Sequence, residues 1–203
     1  MSFSISGCSL AGCIIALLLP TAAGVAHDRD DIVRHLQGAY GLTNHSACVR
    51  SVPHPASVVG IDLQTGQLLL PAQTIAQTGS GVMHFSRDGR VRFSGRASEL
   101  DLNGIDPGQV PNIPGLTLTC SGTHSVQQGK VVLLASCTVV SPQIGASFTV
   151  PNVEAEGPIS DDGSSIELTA RAHVQTIQLS LPDGSSLNSE RVCTQRWSLV
   201  KLP

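Results

Sequence analysis

The stretch LTLTCSGTHSVQQGKVVLLASCTVV, residues 116–140, decides the fold class. In its first half Leu116, Leu118, Cys120, Gly122, His124 and Val126 alternate with Thr117, Thr119, Ser121, Thr123 and Ser125. That is the period of two that sends successive side chains to opposite faces of a strand. In the second half Val131, Leu133, Ala135, Cys137 and Val139 share a face, and Gln128-Gly129 between the halves is a two-residue turn. Cys120 precedes Gln128 by as many residues as Cys137 follows Gly129, so the hairpin sets the two cysteines opposite each other and predicts a disulfide. The same register puts Leu133 opposite His124 on the apolar face.

Outward from this hairpin, Gly, Pro, Asn or Asp interrupts the chain every eight to twelve residues, the rhythm of an antiparallel β domain. Candidate strands run over 40–50, 67–70, 82–86, 91–100, 116–126, 131–140, 147–150, 166–181 with an internal break, and 191–202. Asp88-Gly89, Asp162-Gly163 and Pro182-Asp183-Gly184 supply the reversals, so sequential strands pair as in a meander. Only Asp28 to Leu36 has helical spacing. The segment from Asp106 to Gly115 carries three prolines and reads as a loop at one end of the sheet.

Four cysteines lie beyond residue 26, with no C-x-x-C spacing, which argues for two disulfides rather than a structural zinc site. With Cys120 and Cys137 paired in the hairpin, Cys48 bonds Cys193 by elimination and joins the first strand to the last. The expected fold is therefore all-β: a single antiparallel meander barrel of eight or nine strands with a short N-terminal helix. A β-sandwich, in which the first and last strands pair within one sheet, is the alternative.

Residues 1–26 contain no charged side chain and include the apolar run Ile14 to Leu19, followed by small residues at Ala23, Gly24 and Ala26 and then the polar His27-Asp28-Arg29. They read as a signal peptide, with residues 27–203 as one β-barrel domain in a secreted or periplasmic protein. Leu10-Ala11-Gly12-Cys13 matches a lipid-attachment pattern, but most of the apolar run follows Cys13, whereas a lipoprotein signal places it before the cysteine. The net charge of −3 shows no basic surplus for nucleic acid. No later apolar stretch reaches the ~20 residues of a membrane helix. Asn44-His45-Ser46 is a glycosylation sequon whose use depends on the host.

The chain resembles small secreted bacterial β-barrels and is similar in outline to the lipocalin or calycin superfamily. The resemblance rests on Gly38-Ala39-Tyr40 before the first strand, on Phe85 to Gly89, on Gly157 to Gly163 and on Arg191 to Arg196 near the end. In lipocalins an early Gly-x-Trp has its ring covered by an arginine of the last strand. Here Tyr40 stands in the Trp position and Arg191 or Arg196 is the corresponding cover. The resemblance implies a cup with an apolar interior and transfers no catalytic residue.

Strand parity selects the candidate site. Phe93, Glu99, Leu118, His124 and Leu133 fall on the apolar face and are the expected ligand-binding residues, whereas His84 and His173 face solvent. Glu99 and His124 are also the candidate proton-transfer groups, although a hydrogen-bonded core histidine and a mouth-exposed carboxylate are the plainer readings. Asp101 to Asp106 has oxygen ligands around a glycine, but it lacks the distal glutamate of a calcium loop and a solvated Asx turn explains it. A new amino terminus at His27 offers a copper-chelating pair, yet the spacing of His35, His45 and His54 shows no third ligand. No G-x-S-x-G, P-loop, G-x-G-x-x-G or H-E-x-x-H motif occurs, and no cofactor is expected.

The reading that follows is a barrel binding a small apolar molecule, because an aliphatic inner face with few aromatics leaves room inside. The alternatives are an isomerase- or cyclase-type enzyme using Glu99 or His124, and a packed structural or surface-interaction protein. Cavity volume separates them: below roughly 100 Å³ an interior cannot hold a drug-sized ligand.

Overall fold

A computed structural model describes residues 36–102, 115–143 and 145–203. The strands are β1 (Gly38–Ser51), β2 (Ala72–Phe85), β3 (Arg90–Asp101), β4 (Gly115–Gln127), β5 (Lys130–Ser141), β6 (Ala146–Pro158), β7 (Ser165–Ala170), β8 (Gln175–Ser180) and β9 (Ser186–Lys201). Each strand from β1 to β6 pairs antiparallel with the next, and β1 returns to pair with β9. β7 and β8 each pair with both β6 and β9 at different heights, so together they occupy one position in the wall. The result is a closed eight-stranded antiparallel barrel whose seventh position is split between two strands. The break at 171–174 is the one expected inside 166–181.

Closure removes every sheet edge, and the two disulfides sit on its registers. Cys48 faces Cys193 across β1–β9, and Cys120 faces Cys137 across β4–β5; both pairs are bonded. Two disulfides indicate an oxidising, extracytoplasmic environment. Among the described residues no helix is long and apolar enough to cross a membrane.

The largest departures from the sequence reading lie in the β1–β2 connection, β2 and β6. Residues 67–70 form no strand; Leu68 makes only an isolated bridge to Ile61 within the β1–β2 connection. β2 instead starts at Ala72 and carries through Gln73 to Gly81, a polar, glycine-containing run that pairs fully with β1. β6 does not stop at Val150. It passes through an irregularity opposite Ser136, where Pro151 needs no ladder partner and Asn152 takes a positive φ of 54°, and continues to Pro158. Of the expected helix over Asp28 to Leu36 only Leu36 is described, and the proline segment from Asp106 to Pro114 lies outside the described residues.

The core fills unevenly along the barrel axis. At the end where β1 begins, Leu36, Tyr40, Phe85, Val131, Leu168 and Leu199 are essentially inaccessible. Tyr40 donates its hydroxyl to the Gly163 carbonyl at 2.7 Å and meets the Phe85 ring edge-on at 5.4 Å. Burial and the charge of Asp162 push its pKa up to about 12. Lys201, opposite Tyr40 on β9, places its ammonium 5.9 Å from the ring centroid. Neither Arg191 nor Arg196 covers Tyr40: Arg196 points outward, and Arg191 lies toward the opposite end of β9. We call these the tyrosine end and the arginine end.

Midway, Gly81 of β2 pairs directly with Gly95 of β3. A Cβ on either would come within 2.7 Å of the Phe93 ring. The glycine pair is thus the seat that lets an aromatic side chain lie flat against the inner wall.

Candidate functional site

The inward parity of β1 and β9 is set by the Cys48–Cys193 bond. Counting in steps of two along β1 gives Tyr40, Leu42, Asn44, Ser46 and Arg50; along β9 it gives Arg191, Gln195, Trp197 and Leu199. These two strands present Asn44, Arg191, Gln195 and Trp197 to the interior, while β4, β5 and β6 present Leu118, Leu133, Val139 and Val150. Between the two sets lies a cavity of about 70 Å³.

The cavity falls below the size that encloses a drug-sized ligand. Its walls are chemically two-sided. Phe93, Leu118 and Leu133 line the apolar side; Asn44, Arg191 and Trp197 line the polar one. Asn44 and Trp197 are cross-strand partners, and Asn44 Oδ1 and Trp197 Nε1 are both buried without a hydrogen-bond partner. One acceptor and one donor thus face the same interior unmet. Because Asn44 points inward, its sequon is not presented on the outside of the folded barrel.

Toward the arginine end a chain of contacts ties β1, β2 and β3 together. Ser46 Oγ donates to Gln77 Oε1 at 3.2 Å, and Gln77 Nε2 donates to Glu99 Oε2 at 2.7 Å. Arg50 then closes on Glu99 Oε1 at 3.0 Å. Glu99 is therefore on the inner face, as parity requires, but it is the counterion of Arg50. Its side chain is only 13% exposed, so it does not stand in water at the mouth.

His124 is also on the inner face, at the tyrosine end. Its ring stacks edge-on against Phe85 at 5.1 Å and its Nε2 donates to the Ser86 carbonyl at 3.0 Å, while Nδ1 is buried without a hydrogen-bond partner. Through the Phe93–Cys120 register His124 and Glu99 are separated by about 30 Å of strand at ~3.3 Å per residue. They cannot act on one substrate. Of the five expected binding residues, Phe93, Leu118 and Leu133 line the cavity, whereas Glu99 and His124 do not. His84 is exposed, while His173 sits half-buried in the break between β7 and β8 with Nδ1 at 3.0 Å from the Arg171 carbonyl.

A second polar cluster lies on the outer side of the wall. Glu190 Oε2 accepts from His54 Nε2 at 2.8 Å, from the Gly60 amide at 2.8 Å and from Ser51 Oγ at 3.3 Å. His54 Nδ1 lies 3.0 Å from the Pro55 carbonyl, so both ring nitrogens face acceptors and the imidazolium satisfies both. Burial pulls the His54 pKa down, but the Pro55 carbonyl and Glu190 together outweigh it and raise it above the ordinary 6.5. Burial pushes Glu190 up, and its bonds to His54, Gly60 and Ser51 bring it below the ordinary 4.5. In this cluster the carboxylate stands between serine and histidine. Ser51 has no base to activate it, and the arrangement is a clamp holding the β1–β2 connection to β9 rather than a nucleophile.

Among the described residues no group of three or more His, Cys, Asp or Glu is placed to hold a metal ion. Of the calcium-like segment only Asp101 and Leu102 are described; Cys13, His27 and His35 lie outside the described residues. Comparison with protein-family models, with curated proteins and with solved structures finds no match for this chain.

Asn44, Arg50, Arg191, Gln195 and Trp197 are inner-face residues that do not appear among the candidate site residues read from the sequence. The signal was present: each is an even number of residues from Cys48 or Cys193. β1 and β9 do not alternate cleanly between apolar and polar residues, because their inner faces are themselves partly polar.

Proposed function

We propose that this protein is an exported small-molecule-binding barrel whose ligand occupies the central cavity. The observation that carries this reading is the unpartnered Trp197 Nε1 and Asn44 Oδ1. Leaving a buried donor or acceptor unsatisfied costs about 1–3 kcal/mol, and native interiors avoid it. Two such groups on one cavity wall fit a molecule that brings a complementary acceptor and donor. A volume of about 70 Å³ restricts that molecule to a compact one, or to the head of a larger one. The partner expected from the aliphatic face, a small apolar molecule, is accordingly refined to one with a polar end.

Native mass spectrometry of protein purified from its own source tests this. The expected result is a small non-covalent adduct released on denaturation, with the emission of Trp197 shifting on its removal. A bare mass together with an unresponsive Trp197 overturns it.

The packed, surface-interaction reading keeps the support of the small volume. It is also favoured by the β1–β2 connection, where Val58, Val59, Leu63, Leu68 and Leu69 are exposed together. The isomerase or cyclase reading has less support, because Glu99 is held by Arg50 and His124 does not line the cavity.

A further inference from the structure

β1 and β9 set Arg50 and Arg191 directly opposite each other on the inner face. Two guanidinium groups on adjacent strands repel, and an interior tolerates them only with compensating charge. Arg50 has it in Glu99, at 3.0 Å. Arg191 does not: its Nε donates to Gln175 Oε1 at 3.3 Å, and among the described residues no carboxylate oxygen lies within 4.0 Å of its guanidinium. Asp101, at the end of β3, has an interaction of its own, and the charges acting on Arg191 are those of Arg50 and Glu99. Desolvation by the barrel wall, with Arg50 adding to it, pushes the Arg191 pKa down to about 10, which leaves the group cationic at neutral pH. The inner face formed by Arg50, Arg191 and Glu99 therefore carries one positive charge in excess, and Arg191 lines the cavity.

We infer that the ligand of this cavity is a small organic monoanion carrying a hydroxyl, its carboxylate seated on the Arg191 guanidinium, its hydroxyl meeting Asn44 Oδ1 and Trp197 Nε1, and its short apolar body lying against Phe93, Leu118 and Val139. This rests on the reading of the cavity as a small-molecule site. A guanidinium offers paired N–H donors in a planar fork that matches the two oxygens of a carboxylate, and a monoanion balances the excess charge where a dianion overshoots it. The cavity volume of about 70 Å³ keeps the apolar body to a few carbons.

Trp197 is the only tryptophan of the chain and lines the cavity, so its emission reports occupancy. The test is a titration of the ligand-stripped protein with butyrate, 1-butanol and butylammonium, read by Trp197 fluorescence and by melting temperature. Butyrate is expected to bind at least tenfold more tightly than 1-butanol, and butylammonium more weakly than either. Arg191→Met, which keeps the length of the side chain without its charge, is expected to abolish the preference for butyrate over 1-butanol; Arg191→Lys retains part of the preference. If 1-butanol binds the wild-type protein as tightly as butyrate, the anion is wrong and the cavity reading stands. If none of the three moves Trp197 or the melting temperature at millimolar concentration, and denaturation releases no native adduct, the cavity reading falls as well. Should Arg191→Met fail to fold, the butyrate and butanol comparison on wild-type protein still decides.

Discussion

Glu190 shows how one carboxylate organises a connection that the strands leave loose. It draws the His54 imidazolium, the Gly60 amide and Ser51 onto a single oxygen, with His54 and Glu190 only 4% and 5% exposed on their side chains. The pH dependence has a definite sign. His54 has a raised pKa in the fold, so its contribution is complete below 6.5 and is lost as the pH climbs through the raised value. Glu190 has a lowered pKa, so its contribution is complete above 4.5 and is lost as the pH falls through the lowered value. The clamp is therefore strongest between these two ordinary values, in mildly acid solution. Glu190→Gln is expected to cost about 1–3 kcal/mol in urea unfolding near pH 6 and to lower the His54 pKa measured by NMR. An unchanged His54 titration in that variant contradicts the clamp. At the other end of the barrel His124→Ala is expected to leave ligand binding unchanged within twofold, since His124 lies outside the cavity.

At the scale of elements, β2 and β3 are shaped by what they omit. Gly81 and Gly95 face each other, and the Phe93 ring occupies the space their side chains would take. Gly95→Ala is expected to destabilise the barrel by about 1–3 kcal/mol through overpacking and to drive the Phe93 ring toward the cavity. Calorimetry measures the first effect, and a blue-shifted, ligand-insensitive Trp197 emission the second. A neutral Gly95→Ala removes the assigned role of the pair. The same polar, glycine-containing composition is why the first half of β2 escaped the sequence reading. Its strand character comes from pairing with β1 on one side and β3 on the other, not from alternation within its own residues.

For the molecule as a whole, the two disulfides hold different things. Cys120–Cys137 spans 17 residues within one hairpin, whereas Cys48–Cys193 spans 145 and fixes the seam that closes the barrel. If restriction of the unfolded chain dominates, removing the hairpin bond by paired Cys→Ala substitution costs about 3 kcal/mol and removing the seam bond about 5 kcal/mol. Urea midpoints of the two double variants check this order. Equal losses mean that strain or residual unfolded-state structure outweighs loop length. Peptide mapping of the intact protein should join Cys48 to Cys193 and Cys120 to Cys137.

The sequence by itself determined the β class, the hairpin register around Gln128-Gly129, both cysteine pairings and the inner-face parity of Phe93, Glu99, Leu118, His124 and Leu133. Those are local or arithmetical properties, set by a side-chain period of two and by turns that fix register. Only the tertiary structure decided that β7 and β8 share one position in the wall, that the interior is nearly full, and that Glu99 answers Arg50 rather than a substrate. It also decided that Arg50 meets Arg191 on the inner face, since these residues approach only when β1 and β9 pair and the barrel closes. The volume and charge of an enclosed space depend on all its walls at once, and no single strand carries that information.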